Sequence, residues 1–400
     1  MAITTEILVA GGGMAGLTAA VAFAGAGVPV LVVDTAPAAK TAPGYDGRTS
    51  AIAYGSMRVL DGIGLWADLA KAAEPITDIR VSDGPSRLFV HYDHRDIGDA
   101  PLGYILENAT IHAALAKRLD ALNVRRIAGR VAAIDTQGVR ATATLETGET
   151  IRAALIVGAD GRRSAVRKLA HINVTDWRYR QTSIVCAVDH EKPHRGVAHE
   201  RFLPGGVLAL LPMHGNRSSV VWSEASDLVP AMMALSAEDF AAEIERRFGP
   251  HLGRMTLASP RWAYPLGLTH AECYVADRLA LVGDAAHAIH PIAGQGFNLG
   301  LRDVAALAEV VIDARRLGLD AGDAEALARY ERWRRFDSTL LVAVTDALTR
   351  LFATTFPPAA LARRLGLGAV EEIPAAKRFF MRHAMGMVGD LPRLVRGEAL

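Results

Sequence analysis

The sequence predicts a mixed α/β (α+β) fold, in which a Rossmann-like dinucleotide-binding domain is interleaved with a smaller β-sheet domain and followed by C-terminal helices. Three observations carry this expectation. A short apolar strand near the N-terminus runs into Gly11-Gly12-Gly13-Met14-Ala15-Gly16 and then into a small-residue helix. Far along the chain a second apolar strand ends in Gly283-Asp284 and leads through the loop 291–296 into another helix. Between them, the stretches 76–97 and 183–264 alternate or run apolar with β-branched residues, the pattern of strands in a separate sheet.

The first strand, Glu6 to Ala10, the helix Leu17 to Gly25 and the strand Val28 to Val33 make a βαβ unit ending at Asp34. Its glycines divide the work: Gly11 makes a tight turn, Gly13 leaves room for a pyrophosphate at the backbone, and Gly16 lets the helix pack close. The helix start at Met14 and Ala15 offers free N–H groups to the phosphates. Asp34 follows Gly16 at the distance where a carboxylate accepts from a ribose hydroxyl. Ile111, Leu115, Leu119 and Leu122 recur at helical spacing, and strands are expected at Val131 to Ile134, Ala141 to Glu146 and Ile151 to Val157. Second-sheet strands are expected at Thr182 to Val188, Gly206 to Leu211 and Ser218 to Trp222, followed by a helix Phe240 to Phe248 opened by Ser236. Beyond the glycine loop, Phe297, Leu301, Val304, Leu307 and Val311 trace one apolar face, and the tail Ala324 to Leu400 reads as helices broken by Pro357-Pro358 and Pro374. The nucleotide-binding domain is thus expected over 1–75, 98–182 and 265–335, the sheet domain over 76–97 and 183–264, and a helical region over 336–400.

Composition narrows the function. With 400 residues, 50% hydrophobic and 22% charged, the chain is neither disordered nor fibrous. A net charge of +1 gives no field for nucleic acid. Cys186 and Cys273 are the only cysteines, which fits a reducing, cytoplasmic setting. The N-terminus lacks a basic n-region, and no apolar run is long enough to span a bilayer.

Two distant glycine segments that grip one ligand point to a flavin dinucleotide. Gly283 turns the chain, and Asp284 is placed to accept from the ribityl hydroxyls. Pro291, Gly294, Gln295 and Gly296, with Phe297 and Asn298 opening the helix, bring backbone N–H groups to a planar ring and favour negative charge on reduced flavin. Arg48 is assigned to the pyrophosphate, which a guanidinium can bond through two oxygens. Asp160, in a second strand-to-Gly-Asp-Gly design with Arg162, is expected to touch cofactor or nicotinamide. His287 and His290 lack the further ligands a metal needs, so no metal is expected; packing against the cofactor is the preferred reading. His290 is also, by proximity, the one candidate base. The segment Phe202 to Pro212 reads either as the wall of an apolar channel or as plain sheet core. The tail from Lys377 to Arg396 mixes basic residues with Phe379, Phe380, Met381 and Met385, suiting a membrane surface, a partner protein or an ordinary solvated helix.

These residues resemble the FAD-dependent aromatic hydroxylases of ubiquinone biosynthesis, within the class A flavoprotein monooxygenases related to p-hydroxybenzoate hydroxylase. The likeness rests on the Gly11 to Gly16 turn, Asp46-Gly47-Arg48-Thr49-Ser50-Ala51-Ile52-Ala53, Gly62-Ile63-Gly64-Leu65-Trp66, Gly103-Tyr104-Ile105-Leu106-Glu107-Asn108, Gly158-Ala159-Asp160-Gly161, the block Gly283 to Asp303, and the tail segments Arg329-Tyr330-Glu331-Arg332 and Thr345-Asp346-Ala347-Leu348. It implies FAD reduced by NAD(P)H, O2 captured as a C4a-hydroperoxide, and one oxygen atom passed to the ring of a polyprenylated phenol or quinone precursor. It also implies Pro291 on the oxygen-transfer side, no dedicated nicotinamide domain, and contact with other ubiquinone-biosynthesis proteins or peripherally with the inner membrane. Alternatives are a class A hydroxylase of a small phenol and a non-catalytic FAD-binding scaffold. One departure stands out: Ala109 follows Asn108 where many relatives carry Arg, which places the phosphate grip on Arg48 and backbone donors. The chemistry also needs an electron-rich ring, since ionising a phenol at pH 7 costs roughly 4 kcal/mol.

Overall fold

The computed structural model describes residues 2–35, 47–84, 86, 88–289, 294–353 and 357–400. An eight-stranded sheet carries Ile3–Ala10 at its centre, paired in parallel with Val30–Asp34 on one side and Thr150–Gly158 on the other. Leu279–Leu281 extends it beyond Thr150–Gly158, and Arg125–Ala128 beyond Val30–Asp34, both in parallel. Ile7, Leu8 and Val9 are buried completely, as expected of a parallel strand covered on both faces. The covering helix Met14–Gly25 is buried through Ala19, Ala20, Val21, Ala22 and Phe23, so small side chains let it approach the sheet.

A nine-stranded sheet forms the second layer, in the order His287–Ala288, Trp262–Ala271, Val174–His190, Arg217–Ala225, Gly206–Met213, Val197–Leu203, Asp78–Asp83 and Phe89–Asp93, with the ninth strand, Met255–Leu257, also paired to Val174–His190. The strand Val174–His190 starts well before the expected strand at Thr182. Its first half alternates Trp177, Arg178, Tyr179 and Arg180, with the arginines exposed, and the register against Trp262–Ala271 shifts between Arg178 and Thr182. A long strand with one wet face reads as loop in a search for apolar runs. Both strands straddle the limits expected at 182 and 264, so the nine-stranded sheet reaches past those limits into stretches assigned to the nucleotide-binding domain. A three-stranded sheet of Thr49–Ala53, Gly103–Glu107 and Glu74–Ile76 is interleaved in sequence with the larger two.

The outer face of the nine-stranded sheet packs Ile184, Cys186, Leu208, Leu210, Val220 and Trp222 against the helix Ala237–Phe248, whose Ser236 Oγ accepts from Asp239 N at 3.0 Å. Burial pushes the Cys186 thiol up to about 12, so it stays protonated. The tail forms helices Ala324–Ala353, Pro357–Glu372, Pro374–Ala384 and Arg393–Arg396. Leu394 and Val395 of the last one are buried in the principal core, so the end of the chain is built into the fold.

Candidate active site

The first glycine turn works by exclusion of side chains. Gly11 has φ +118°, and a Cβ there would collide with the Ala159 carbonyl oxygen at the end of the neighbouring strand. A Cβ on Gly16 would collide with Gly11 O, and one on Gly12 would lie 2.7 Å from the Asp34 carboxylate. Gly13 caps the helix Met14–Gly25 and has open space where its Cβ would stand, facing a cavity. Gly11 and Gly16 are thus held free of side chains by close backbone contacts, and Gly13 leaves space open at the cavity. Asp34 lies over the turn, and His112 Nε2 reaches Gly12 O at 3.0 Å from the helix Asn108–Ala121.

The second turn is held from several sides. Gly283 has φ +60°, and its Cβ would stand 3.0 Å from Ala15 Cβ; Gly300, one turn into the helix Gln295–Arg316, approaches Gly283 Cα to 3.3 Å from its own missing Cβ. Three small residues thus press the first helix, the strand-end turn and the second helix together. Gly294 caps the second helix with φ +62°. Asn298 spends its amide on the backbone: Nδ2 donates to Ala51 O at 2.8 Å and Gly294 O at 3.0 Å, and Oδ1 accepts from Ala53 N at 2.9 Å. This ties the strand Thr49–Ala53 to the helix start.

One cavity of about 570 Å³ connects these parts. Gly13, Met14, Ala15, Arg48, Asp284, Gly294, Gln295, Gly296, Phe297 and Asn298 all line it. Asp284 is exposed to the cavity although protein surrounds it, and burial raises its carboxyl pKa, with His287 and Arg162 pulling the other way. Such a carboxyl is poised to hydrogen-bond a polyol. The far end of the cavity is the inner face of the nine-stranded sheet: Ile79, Val81, Val207, Ala209, Leu211 and Val221. The two readings of Phe202 to Pro212 are both true by alternation, since Val207, Ala209 and Leu211 face the cavity while Leu208 and Leu210 are core on the other side. Tyr92 also lines the cavity; burial, then Glu200 and Glu371, push its phenol up to about 12, so at neutral pH it is a donor. His199 sits at the lining too, but its ring packs edge-on against Phe248, 4.9 Å away, and burial lowers it to about 4.

Some expected residues are occupied elsewhere. Asp160 is outside the cavity lining; its carboxylate accepts from Ser164 Oγ, Ala165 N at 2.7 Å and Val166 N at 3.1 Å, holding the short helix Ala165–Leu169. Arg162 bonds Thr269 Oγ1 at 2.9 Å and Asp176 Oδ1 at 3.2 Å. Gly11 and Gly16 act behind the lining. His287 is wholly buried, with Nε2 2.6 Å from Asp303 Oδ2, so it packs on a carboxylate behind the turn and not along the cavity. His290 and Pro291 lie outside the described residues. Among the described residues no cluster of potential metal ligands occurs. The sequence reading missed Asp303, Arg334, Tyr92 and the backbone of Ala51 and Ala53. Asp303 and the tail residue Tyr330 stood only within segments quoted for their family likeness, and Tyr330 OH donates to Leu281 O at 2.7 Å, just before the second turn.

Open space at Gly13 and Gly296, a carboxyl facing inward at Asp284 and an apolar face opposite fit a flavin dinucleotide with room for an aromatic guest. This fold and site define a FAD-dependent aromatic-ring monooxygenase. Residues 4–342 match the family described as FAD binding domain. The chain is 53% identical to the ubiquinone hydroxylase UbiL of Rhodospirillum rubrum, covering 99% of this chain and 93% of that protein. It is 35% identical to the 3-demethoxyubiquinol 3-hydroxylase of Escherichia coli, covering 96% and 99%. The solved p-nitrophenol 4-monooxygenase PnpA of Pseudomonas putida DLL-E4 shares the fold, with a TM-score of 0.79 at 21% identity over 96% of this chain and 98% of that one. The chain belongs to the FAD-binding-domain family and, within it, to the ubiquinone-biosynthesis hydroxylases.

Proposed function

We propose that this enzyme hydroxylates the aromatic ring of a polyprenylated ubiquinone precursor, using O2 and NAD(P)H. The observation that carries the reading is the single cavity running from the first helix N-terminus, past Asp284 and Gly294–Phe297, to an apolar sheet face. FAD, once bound and reduced by a nicotinamide, activates O2, so that one oxygen atom enters the ring and the other leaves as water. The chain's residues bind and orient. The N–H groups at Met14 and Ala15 and the Arg48 guanidinium take the pyrophosphate, Asp34 the ribose, and Asp284 the ribityl hydroxyls. The helix end at Gly294, Gln295 and Gly296 faces the ring system, where its positive pole favours negative charge. Val81, Val207, Ala209, Leu211 and Val221 exclude water and receive the ring and the start of its apolar tail, while Tyr92 donates to a ring oxygen. A phenol that stays protonated suits a guest bound neutral and already electron-rich.

No helix among the described residues is long and apolar enough to cross a membrane. Access to a membrane-borne substrate is then by reversible docking at the inner membrane. Phe336, Leu340 and Val344 of the helix Ala324–Ala353, Leu361 and Leu365 of the next, and Phe379 and Phe380 are all exposed and support this reading. Because Leu394 and Val395 are core, the test is liposome flotation of Phe379→Ser with Phe380→Ser, not removal of the tail; flotation equal to the parent removes those two from the account.

The deciding experiment is quinone profiling of a deletion strain by mass spectrometry. A precursor lacking one ring oxygen should accumulate, and a normal quinone pool overturns the proposal. With purified enzyme, Tyr92→Phe should raise KM for the precursor about 3- to 10-fold, the loss of about one hydrogen bond, with FAD content unchanged; an unchanged KM removes Tyr92 from the site.

A further inference from the structure

Behind the second turn lies a buried chain of charges that reaches the helix Ala324–Ala353. Asp303, two turns into the helix Gln295–Arg316, is completely buried, as is His287, and Arg334 of the helix Ala324–Ala353 is 1% exposed. Asp303 Oδ2 accepts from Gly283 N at 3.0 Å and faces His287 Nε2 at 2.6 Å. Its other oxygen accepts from Arg334 Nε at 2.9 Å. Arg334 Nη1 continues to Asp337 Oδ2 at 2.7 Å, which also accepts from Arg302 Nη1 at 3.0 Å. Among the described residues His287 Nδ1 finds no hydrogen-bond partner, so Asp303 holds this ring by its hydrogen bond while the Tyr274 ring packs 5.6 Å away.

We propose that Asp303 and Arg334 are positioning residues for FAD: Arg334 fixes the Asp303 carboxylate, which holds the Gly283 N–H and so sets the Asp284 carboxyl at the cavity. The proposal rests on the FAD site and not on the identity of the substrate. A carboxylate in the interior keeps its charge only if it is paired and hydrogen-bonded. Arg334 supplies that pairing from outside the glycine segments, leaving the second oxygen to grip the turn. The left-handed Gly283 is where such a grip has most effect, because its backbone conformation is the one other residues rarely adopt and Asp284 follows directly. The alternative is that the charges merely hold two helices together. The network itself separates the two, because its other pair, Asp337 and Arg302, joins the same helices without touching the turn.

Two charge-balanced double variants of the full-length enzyme make the test, with FAD affinity read by fluorescence titration and the visible flavin spectrum as second readout. Asp303→Asn with Arg334→Met should weaken FAD binding by about ten-fold or more and shift the spectrum, since the hydrogen bond to the turn is altered at its source. Asp337→Asn with Arg302→Met removes the second link between the helices but keeps Arg334 Nε on Asp303, so affinity should stay within about two-fold and the spectrum in place. Equal weakening by both, or by neither, overturns the proposal. If the first variant fails to fold, Arg334→Lys retains the charge but loses the planar fork. It should fold and still weaken FAD with a spectral shift, and parental affinity and spectrum in it would also overturn the proposal.

Discussion

The two glycine turns assigned to the cofactor are built on opposite plans. At Gly11–Gly16 the chain is shaped by what is missing: side chains at 11, 12 and 16 would strike Ala159, Asp34 and Gly11 itself. At Gly283–Asn298 it is shaped by what is added, with Asp303 on Gly283 N, Asn298 on three backbone groups of Ala51, Ala53 and Gly294, and Tyr330 on Leu281 O. The first plan is local and steric. The second draws on residues from the strand Thr49–Ala53 to the helix Ala324–Ala353, and it can be adjusted one bond at a time.

The largest effect should come from the steric turn. Gly11→Ala places a Cβ against the Ala159 carbonyl at φ +118°, where neither backbone can yield. A cost on the order of 3 kcal/mol or more is expected. The purified protein should carry little flavin and melt early, and full flavin occupancy in this variant would break the steric account.

Asn298→Ala should come next. It strands Ala53 N, Ala51 O and Gly294 O in a largely buried place, at about 1–3 kcal/mol. FAD should bind about ten-fold more weakly while the unliganded protein keeps its fold, because the lost bonds tie one short strand to a helix start at the cavity and leave the principal core packed. Flavin titration checks this, and an unchanged dissociation constant would reduce Asn298 to a bystander. Gly283→Ala sharpens the contrast with Gly11. Its φ of +60° is a conformation other residues can reach at about 1–2 kcal/mol, and its Cβ would meet only the Ala15 methyl at 3.0 Å. The variant should fold, retain flavin and lose a few degrees of melting temperature; a loss as severe as that of Gly11→Ala would show that both turns are steric after all.

This difference in plan also explains what could be read in the chain. Gly11, Gly13, Gly16 and Asp34 were legible together because a steric turn writes its requirements into neighbouring positions, and strand, turn, helix and acid follow within one βαβ unit. The cavity lining at Arg48, Asp284 and Gly294–Phe297 was legible for a related reason, since glycines and a strand-end acid mark a close approach. Asp303 and Arg334 were not. A carboxylate in a helix that otherwise shows one apolar face reads as solvated, and only the tertiary structure shows that this helix is buried on nearly every side. Asp160 misled for the opposite reason: an Ala-Asp-Gly turn at a strand end looks the same whether the acid meets a ligand or, as here, the N-terminus of its own next helix. The long strand Val174–His190 was half-missed because its exposed arginines hide a two-sided role.

The smallest effect, absent near neutral pH, is an acid limb that belongs to one grip alone. Burial raises the Asp303 carboxyl, but His287 and Arg334, by charge and by hydrogen bond, outweigh it and hold the group below its ordinary value. A folded-state pKa lower than the unfolded one contributes stability that is fully present above the unfolded value, about 3.9, and is lost as pH falls through the folded one. The Gly11–Gly16 turn has no titrating group among its own residues. Flavin release followed from pH 7 downward should therefore rise most steeply below roughly pH 4, after any earlier change from Asp284, whose raised carboxyl titrates first. In Asp303→Asn this limb should flatten, leaving a weaker but less pH-dependent grip, whereas an acid limb identical to the parent's would assign the sensitivity to another carboxylate.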